Sequence, residues 1–190
     1  METVRAVRAM LSIPLTVGGG VRSEADAERL LRAGADRVGI NSAAVERPAL
    51  ISELARSFGS QCVVLAVDAA RDGDGWRVRT EAGRRDWPLD AVAWAREGAS
   101  RGAGEILLTS IDRDGTGSGY ELDLLSAVVE GVGVPVIASG GVGTYEHLVT
   151  GARAGASALL VAGRFHRGEM TIPEAKRVLT SAGVPVRLAA

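Results

Sequence analysis

The chain has 190 residues, with 22 basic and 23 acidic side chains, a formal net charge of −1 and 46% hydrophobic residues. That balance excludes a disordered chain, which would lack apolar material, and a surface that coats nucleic acid, which would need an excess of positive charge. No apolar run approaches the ~20 residues that cross a bilayer, and Met1 to Met10 mixes charges without a signal-peptide core. The expected compartment is the cytoplasm. A single cysteine, Cys62, excludes an internal disulfide and is expected to be a buried structural thiol.

Thr3 to Leu11 opens the chain as a helix-like segment. The apolar run Ile13 to Val17 then enters Gly18-Gly19-Gly20, which predicts a strand handing over to a helix at 23–34 with Ser23 as its N-cap. Arg37 to Asn41 forms a second strand, followed by a helix at 48–58, and Cys62 to Asp68 a third. Arg71 to Arg85 breaks the pattern: Asp72-Gly73-Asp74-Gly75 and Ala82-Gly83 flank Trp76 to Thr80, the signature of a hairpin excursion. A helix at 88–102, a strand at Glu105 to Ile111, a helix at 121–131 and a strand at Pro135 to Ser139 follow. A helix at 144–154 capped by Thr144, a strand at Ser157 to Gly163 and a helix at 171–182 complete the chain.

Runs that are continuously apolar, with helices between them, indicate parallel strands covered by helices. The expected fold class is α/β: a TIM (β/α)8-barrel type with about six βα units, hence incomplete, forming one domain over residues 1–190. Polar residues gather where strands end, at Asn41-Ser42, Asp68, Thr109-Ser110, Asp112, Asp114, Ser139 and Gly163. In a barrel of this kind that edge is the active face.

The chain also repeats itself. Gly19-Gly20-Val21 recurs 121 residues later as Gly140-Gly141-Val142, and Ala33-Gly34-Ala35 recurs as Ala154-Gly155-Ala156. Glycines between a strand and a helix let backbone N–H groups approach an anion, so the repeat predicts two equivalent phosphate half-sites.

The run Leu107-Leu108-Thr109-Ser110-Ile111-Asp112-Arg113-Asp114-Gly115-Thr116, continuing through Gly117-Ser118-Gly119-Tyr120, resembles the cyclase subunits of imidazole glycerol phosphate synthases. The resemblance extends to Thr16-Val17-Gly18-Gly19-Gly20, Ile40-Asn41-Ser42-Ala43-Ala44, Phe58-Gly59-Ser60-Gln61, Ala66-Val67-Asp68-Ala69, Ala138-Ser139-Gly140-Gly141 and Gly183-Val184-Pro185-Val186-Arg187-Leu188. It covers essentially the whole chain. It implies a ring-forming lyase of histidine biosynthesis that works as a heterodimer with a glutaminase. Its substrates would be ammonia from that partner and an open-chain ribulosyl formimino aminoimidazole carboxamide ribotide with a phosphate at each end. No metal or organic cofactor is implied.

By the same resemblance Asp68 is one of two aspartates that do acid and base work, and Thr109 and Asp114 help bind substrate, while Asp112 and Arg113 hold their loop. One phosphate site would comprise Gly20, Asn41 and Ser42, and the other Ser139, Gly140, Gly141 and Gly163. Gly163 departs from the Ala-Ser type of the family, which weakens one contact. Arg37, an Arg where Lys is common, and Glu105 match a charged ring around the ammonia entrance, and Asp36 is expected to touch the partner. His147 and His166 are expected to pack or face solvent, and Trp76, Trp87 and Trp94 form no stacking platform.

Compared with a complete barrel of ~250 residues, the chain is expected to lack about the first quarter, including the second family aspartate, through a start misplaced at Met1. On its own it is expected not to be a competent enzyme. Two other readings stay open: the sister isomerase, which performs an Amadori rearrangement on a similar two-phosphate substrate, and a non-catalytic product that binds phosphate or assembles with other chains.

Overall fold

Strands without a polar face must be covered on both sides, and a layer of helices outside a curled parallel sheet achieves this. In the computed structural model, which describes residues 1–187, the strands are β1 (Thr16–Gly18), β2 (Arg37–Ile40), β3 (Val63–Asp72), β4 (Gly75–Thr80), β5 (Arg85–Asp90), β6 (Glu105–Ser110), β7 (Val136–Ser139) and β8 (Ala158–Leu159). Leu188, the end of the last family motif, lies outside the described residues. Six strands run parallel in the order β1-β2-β3-β6-β7-β8, with β4 and β5 attached to the far end of β3 as an antiparallel excursion. This is an incomplete TIM barrel. Among the described residues β1 and β8 each keep one unpaired edge.

Alternate strand residues have opposite fates. Val38, Ile40, Val63, Leu65, Ile106, Leu108 and Val136 are buried in the hydrophobic core. There they meet Leu50, Ile51 and Leu54 of α4 (Ala49–Phe58), Trp94 of α5 (Ala91–Ser100) and Leu124, Leu125 and Val128 of α6 (Leu122–Gly131). The other set, Gly18, Gly39, Val64, Ala66, Leu107 and Ile137, lines the concave side. The remaining helices are α1 (Glu2–Met10), α2 (Glu24–Arg32), α3 (Ser42–Glu46), α7 (Tyr145–Arg153), α8 (Gly163–His166) and α9 (Ile172–Ser181). Ser23 caps α2 as expected, its hydroxyl accepting from Asp26 N–H at 3.2 Å.

Several boundaries differ from the sequence expectation, each for a local reason. β1 starts at Thr16 rather than Ile13, because Pro14 has no N–H and the Leu15 N–H is taken by the Asp36 carboxylate at 2.7 Å. β5 runs through Trp87-Pro88-Leu89, so α5 begins at Ala91 rather than 88, where the Asp90 carboxylate caps Ala93 N–H at 2.7 Å. β8 stops at Leu159 instead of Gly163, and Gly163 opens α8. Neither α3 nor α8 was foreseen, since five and four residues are too few to show a helical period. Cys62 is only half-buried, in a 3₁₀ turn at Ser60–Cys62 that precedes β3.

Candidate active site at the strand ends

Parallel register brings three polar residues into one row: Asp68 of β3 pairs with Thr109 of β6, and Thr109 with Ser139 of β7. Asn41 ends β2 at the cap position of α3, but its side chain is turned from the helix and Nδ2 donates to Asp68 Oδ2 at 2.9 Å. Burial pushes the Asp68 carboxyl above its ordinary value; the Asn41 amide and Thr109 hydroxyl pull it back, and the Asp114 charge adds to the rise. Asn41 Oδ1 is buried without a protein partner. Asp68 does not end β3, which runs on to Asp72 because Asp68–Asp72 pair with β4; it lies where the parallel pairing with β6 finishes, and a half-desolvated carboxylate there, steadied by one amide, is suited to taking up and releasing protons.

Two cavities adjoin this row, one lined by Asn41, the partner of Asp68, and the other by Ser139 and Asp114; Asp68 and Thr109 line neither. The first, about 540 Å³, is bounded by Gly18-Gly19-Gly20, Arg22, Asn41 and Ser42 and opens onto the apolar concave wall. The second, about 320 Å³, is bounded by Asp114, Ser139, Gly140-Gly141, Gly163, Arg164 and Arg167. The two halves of the sequence repeat therefore each furnish a cavity wall. In both turns the glycines hold positive φ, +75° at Gly20 and +98° at Gly141, which aims backbone N–H groups in directions an L side chain resists. Packing separates them: nothing stands within 4 Å of a Cβ placed on Gly20, whereas one on Gly141 would strike the carbonyl oxygen of Gly119.

Other residues singled out in the sequence fall into place around the row. The Asp112 carboxylate accepts from Arg71 N–H at 2.7 Å, and Arg113 reaches Glu121 at 2.9 Å and Ser118 at 3.3 Å, so both tie down the loop after β6. Ser42 Oγ accepts from Glu81 N–H at 3.4 Å, drawing the β4–β5 turn toward the first cavity. At the opposite end of the strands Arg37 Nε stands 3.8 Å from Glu105 Oε2, a pair half-withdrawn from solvent. Asp36 is engaged within the chain, accepting from Leu15 N–H and from Arg8 Nη1 at 3.0 Å. His147 is a cap residue whose Nδ1 accepts from Gly143 N–H at 3.1 Å, and His166 is exposed on α8. Arg71 and Arg85 cover the rings of Trp76 and Trp87, and Trp94 is buried.

Sequence reasoning missed Arg22, Arg164 and Arg167 as cavity residues. Arg22 had a signal, since it follows the Gly-Gly turn directly; the other two had only a three-residue spacing beyond the last strand. Among the described residues no group of three or more His, Cys, Asp or Glu could hold a metal ion, and no helix is long and apolar enough to cross a membrane.

Parallel βα units with polar residues collected at the C-terminal strand ends define a (β/α)-barrel enzyme scaffold, and residues 1–171 match the family model described as "Histidine biosynthesis protein". The imidazole glycerol phosphate synthase subunit HisF of Gluconacetobacter diazotrophicus is 58% identical over 188 residues, 98% of this chain and 73% of that protein. HisF of Myxococcus xanthus is 56% identical over 187 residues, 98% and 74% respectively. The chain belongs to the HisF family, the cyclase subunits of imidazole glycerol phosphate synthase in histidine biosynthesis.

Proposed function

We propose that the chain acts at the ring-closing step, taking ammonia from a glutaminase subunit and an open-chain ribulosyl formimino aminoimidazole carboxamide ribotide. The products are imidazole glycerol phosphate and aminoimidazole carboxamide ribotide. The observation that carries this reading is the position of Asp68, a partly desolvated carboxylate on a strand row flanked by two glycine-walled cavities. One phosphate rests against Gly20, Asn41 and Ser42, and the other against Ser139, Gly140, Gly141 and Gly163. The substrate body then spans the row between them. Asp68 exchanges protons as ammonia adds to the carbonyl, as the imine forms and as the carboxamide ribotide leaves. Thr109 and Asp114 position the substrate beside it.

Ammonia enters from the opposite end, past Arg37 and Glu105, where the glutaminase docks; Asp36 stands at the same end. The whole chain works as one domain in the cytoplasm. The test is turnover by a full-length version of the protein, with saturating ammonium salt in place of the glutaminase. Asp68→Asn lowers kcat about 10² to 10⁴-fold with KM nearly unchanged, and undiminished turnover removes Asp68 from the mechanism.

Among the described residues β1 and β8 each keep an unpaired edge, which favours a second reading, a chain that binds phosphate and assembles with others without turning over. Phosphate affinity and higher oligomers without ammonia-dependent product would select it.

A further inference from the structure

The second cavity differs from the first in its charge. Among the described residues Arg22 is the one charged residue lining the first, whereas the second is lined by Arg164 and Arg167 together with Asp114. Arg164 lies on α8 and Arg167 is its C-cap, three residues on, and both reach one carboxylate. Arg164 Nη1 meets Glu169 Oε2 at 2.5 Å, and Arg167 donates from Nε to Oε1 at 2.5 Å and from Nη2 to Oε2 at 3.3 Å. These donors, Arg167 first, hold the Glu169 carboxyl down to about 2.

The guanidinium groups lean against the glycine wall. A methyl on Gly117 would lie 3.0 Å from Arg164 Nη2, and one on Gly163 3.0 Å from Arg167 Nη1. Each guanidinium has five N–H donors, of which Glu169 engages one on Arg164 and two on Arg167. The remaining donors are available at the cavity, and a phosphomonoester dianion is the ligand class that a fork of such donors recognises. Gly163 itself brings no hydroxyl, so backbone amides are otherwise the main donors on that side of the wall.

We propose that Arg164 and Arg167 form a two-armed clamp on the substrate phosphate in the second cavity, with Glu169 a competitor that occupies part of their donors. The proposal rests on the reading of this cavity as a phosphate half-site. It makes the two half-sites unequal in kind: the second sets two side-chain cations among the carboxylates of Asp114 and Glu169, whereas Arg22 is the charged residue described at the first.

The test is titration of the ¹⁵N-labelled chain with inorganic phosphate, following the amide signals of Gly140 and Gly141 separately from those of Gly20 and Ser42. The double variant Arg164→Gln/Arg167→Gln is expected to weaken binding at Gly140 and Gly141 about tenfold or more while Gly20 and Ser42 change less than about twofold. Glu169→Gln is expected to tighten binding at Gly140 and Gly141, because it frees donors; a merely structural ion-pair cluster would instead make it weaken binding as the arginine variants do. Unchanged affinity in the double variant, or weakened affinity in Glu169→Gln, overturns the clamp while leaving the half-site standing. Absence of any phosphate response at Gly140 and Gly141 in the unsubstituted chain overturns the half-site and the clamp together.

Discussion

Replacing Gly141 by alanine puts a methyl group against the Gly119 carbonyl and 2.9 Å from Arg113 Cβ, at a position where φ is +98°. The backbone has to move, and the hydrogen bond from Gly119 N–H to Gly141 O, 2.7 Å long, is strained or lost. Left-handed strain in an alanine costs about 1–2 kcal/mol, and the hydrogen bond about 1 kcal/mol more. Displacement of the packed loop adds a contribution of the order of 1 kcal/mol. The sum for Gly141→Ala is about 3–4 kcal/mol. Gly20→Ala carries the strain alone, about 1–2 kcal/mol, because nothing stands within 4 Å of its Cβ. At about 3 °C per kcal/mol for a chain of this size, Tm falls about 10 °C in the first variant and about 4 °C in the second. Urea unfolding of both variants beside the parent chain measures the difference. Equal destabilisation, within about 0.5 kcal/mol, would refute the claim that the second turn is locked under the 113–120 loop and the first is open.

Asn41→Ala removes the amide that donates to Asp68, so the Asp68 carboxyl rises further and the acid limb of the kcat profile moves to higher pH; an unmoved limb dissociates Asn41 from that ionisation. Because the folded-state value of Asp68 lies above its ordinary one, the cost of ionising it is fully present above the folded value, shrinks as pH falls from there, and is gone below the ordinary aspartate value. Asp68→Asn is therefore expected to be at least as stable as the parent at neutral pH, and a marked loss in thermal unfolding contradicts that sign. Trp94→Ala, at a side chain 1% exposed, costs about 3–5 kcal/mol in denaturant unfolding; a cost under about 1 kcal/mol would place Trp94 outside the core. Arg37→Glu sets a second carboxylate beside Glu105 and is expected to weaken glutaminase association, measurable by titration calorimetry; unaltered affinity moves the docking face elsewhere.

The apolar runs and the glycine turns are local signals, and they were sufficient to locate the six parallel strands and most of the helices, but not that β3 runs past Asp68 to Asp72, where its partner is β4. Short-range chemistry also placed the Ser23 cap and the excursion after β3. Tertiary structure decided what those residues do to one another. Register across three strands aligned Asp68, Thr109 and Ser139, and a chain separation of 27 residues hid Asn41 as the partner of Asp68. The Asp36 carboxylate was turned inward onto Leu15 because the start of β1 presented an N–H within reach. Two turns that read alike became unequal because only the second is covered by a loop, and Arg164 and Arg167 joined a cavity wall because a four-residue helix, too short to leave a period, folds back beside Gly140 and Gly141. Periodicity and turn chemistry are written in neighbouring residues; register, burial and shared donors depend on which segments meet, and that is settled only when the sheet has curled.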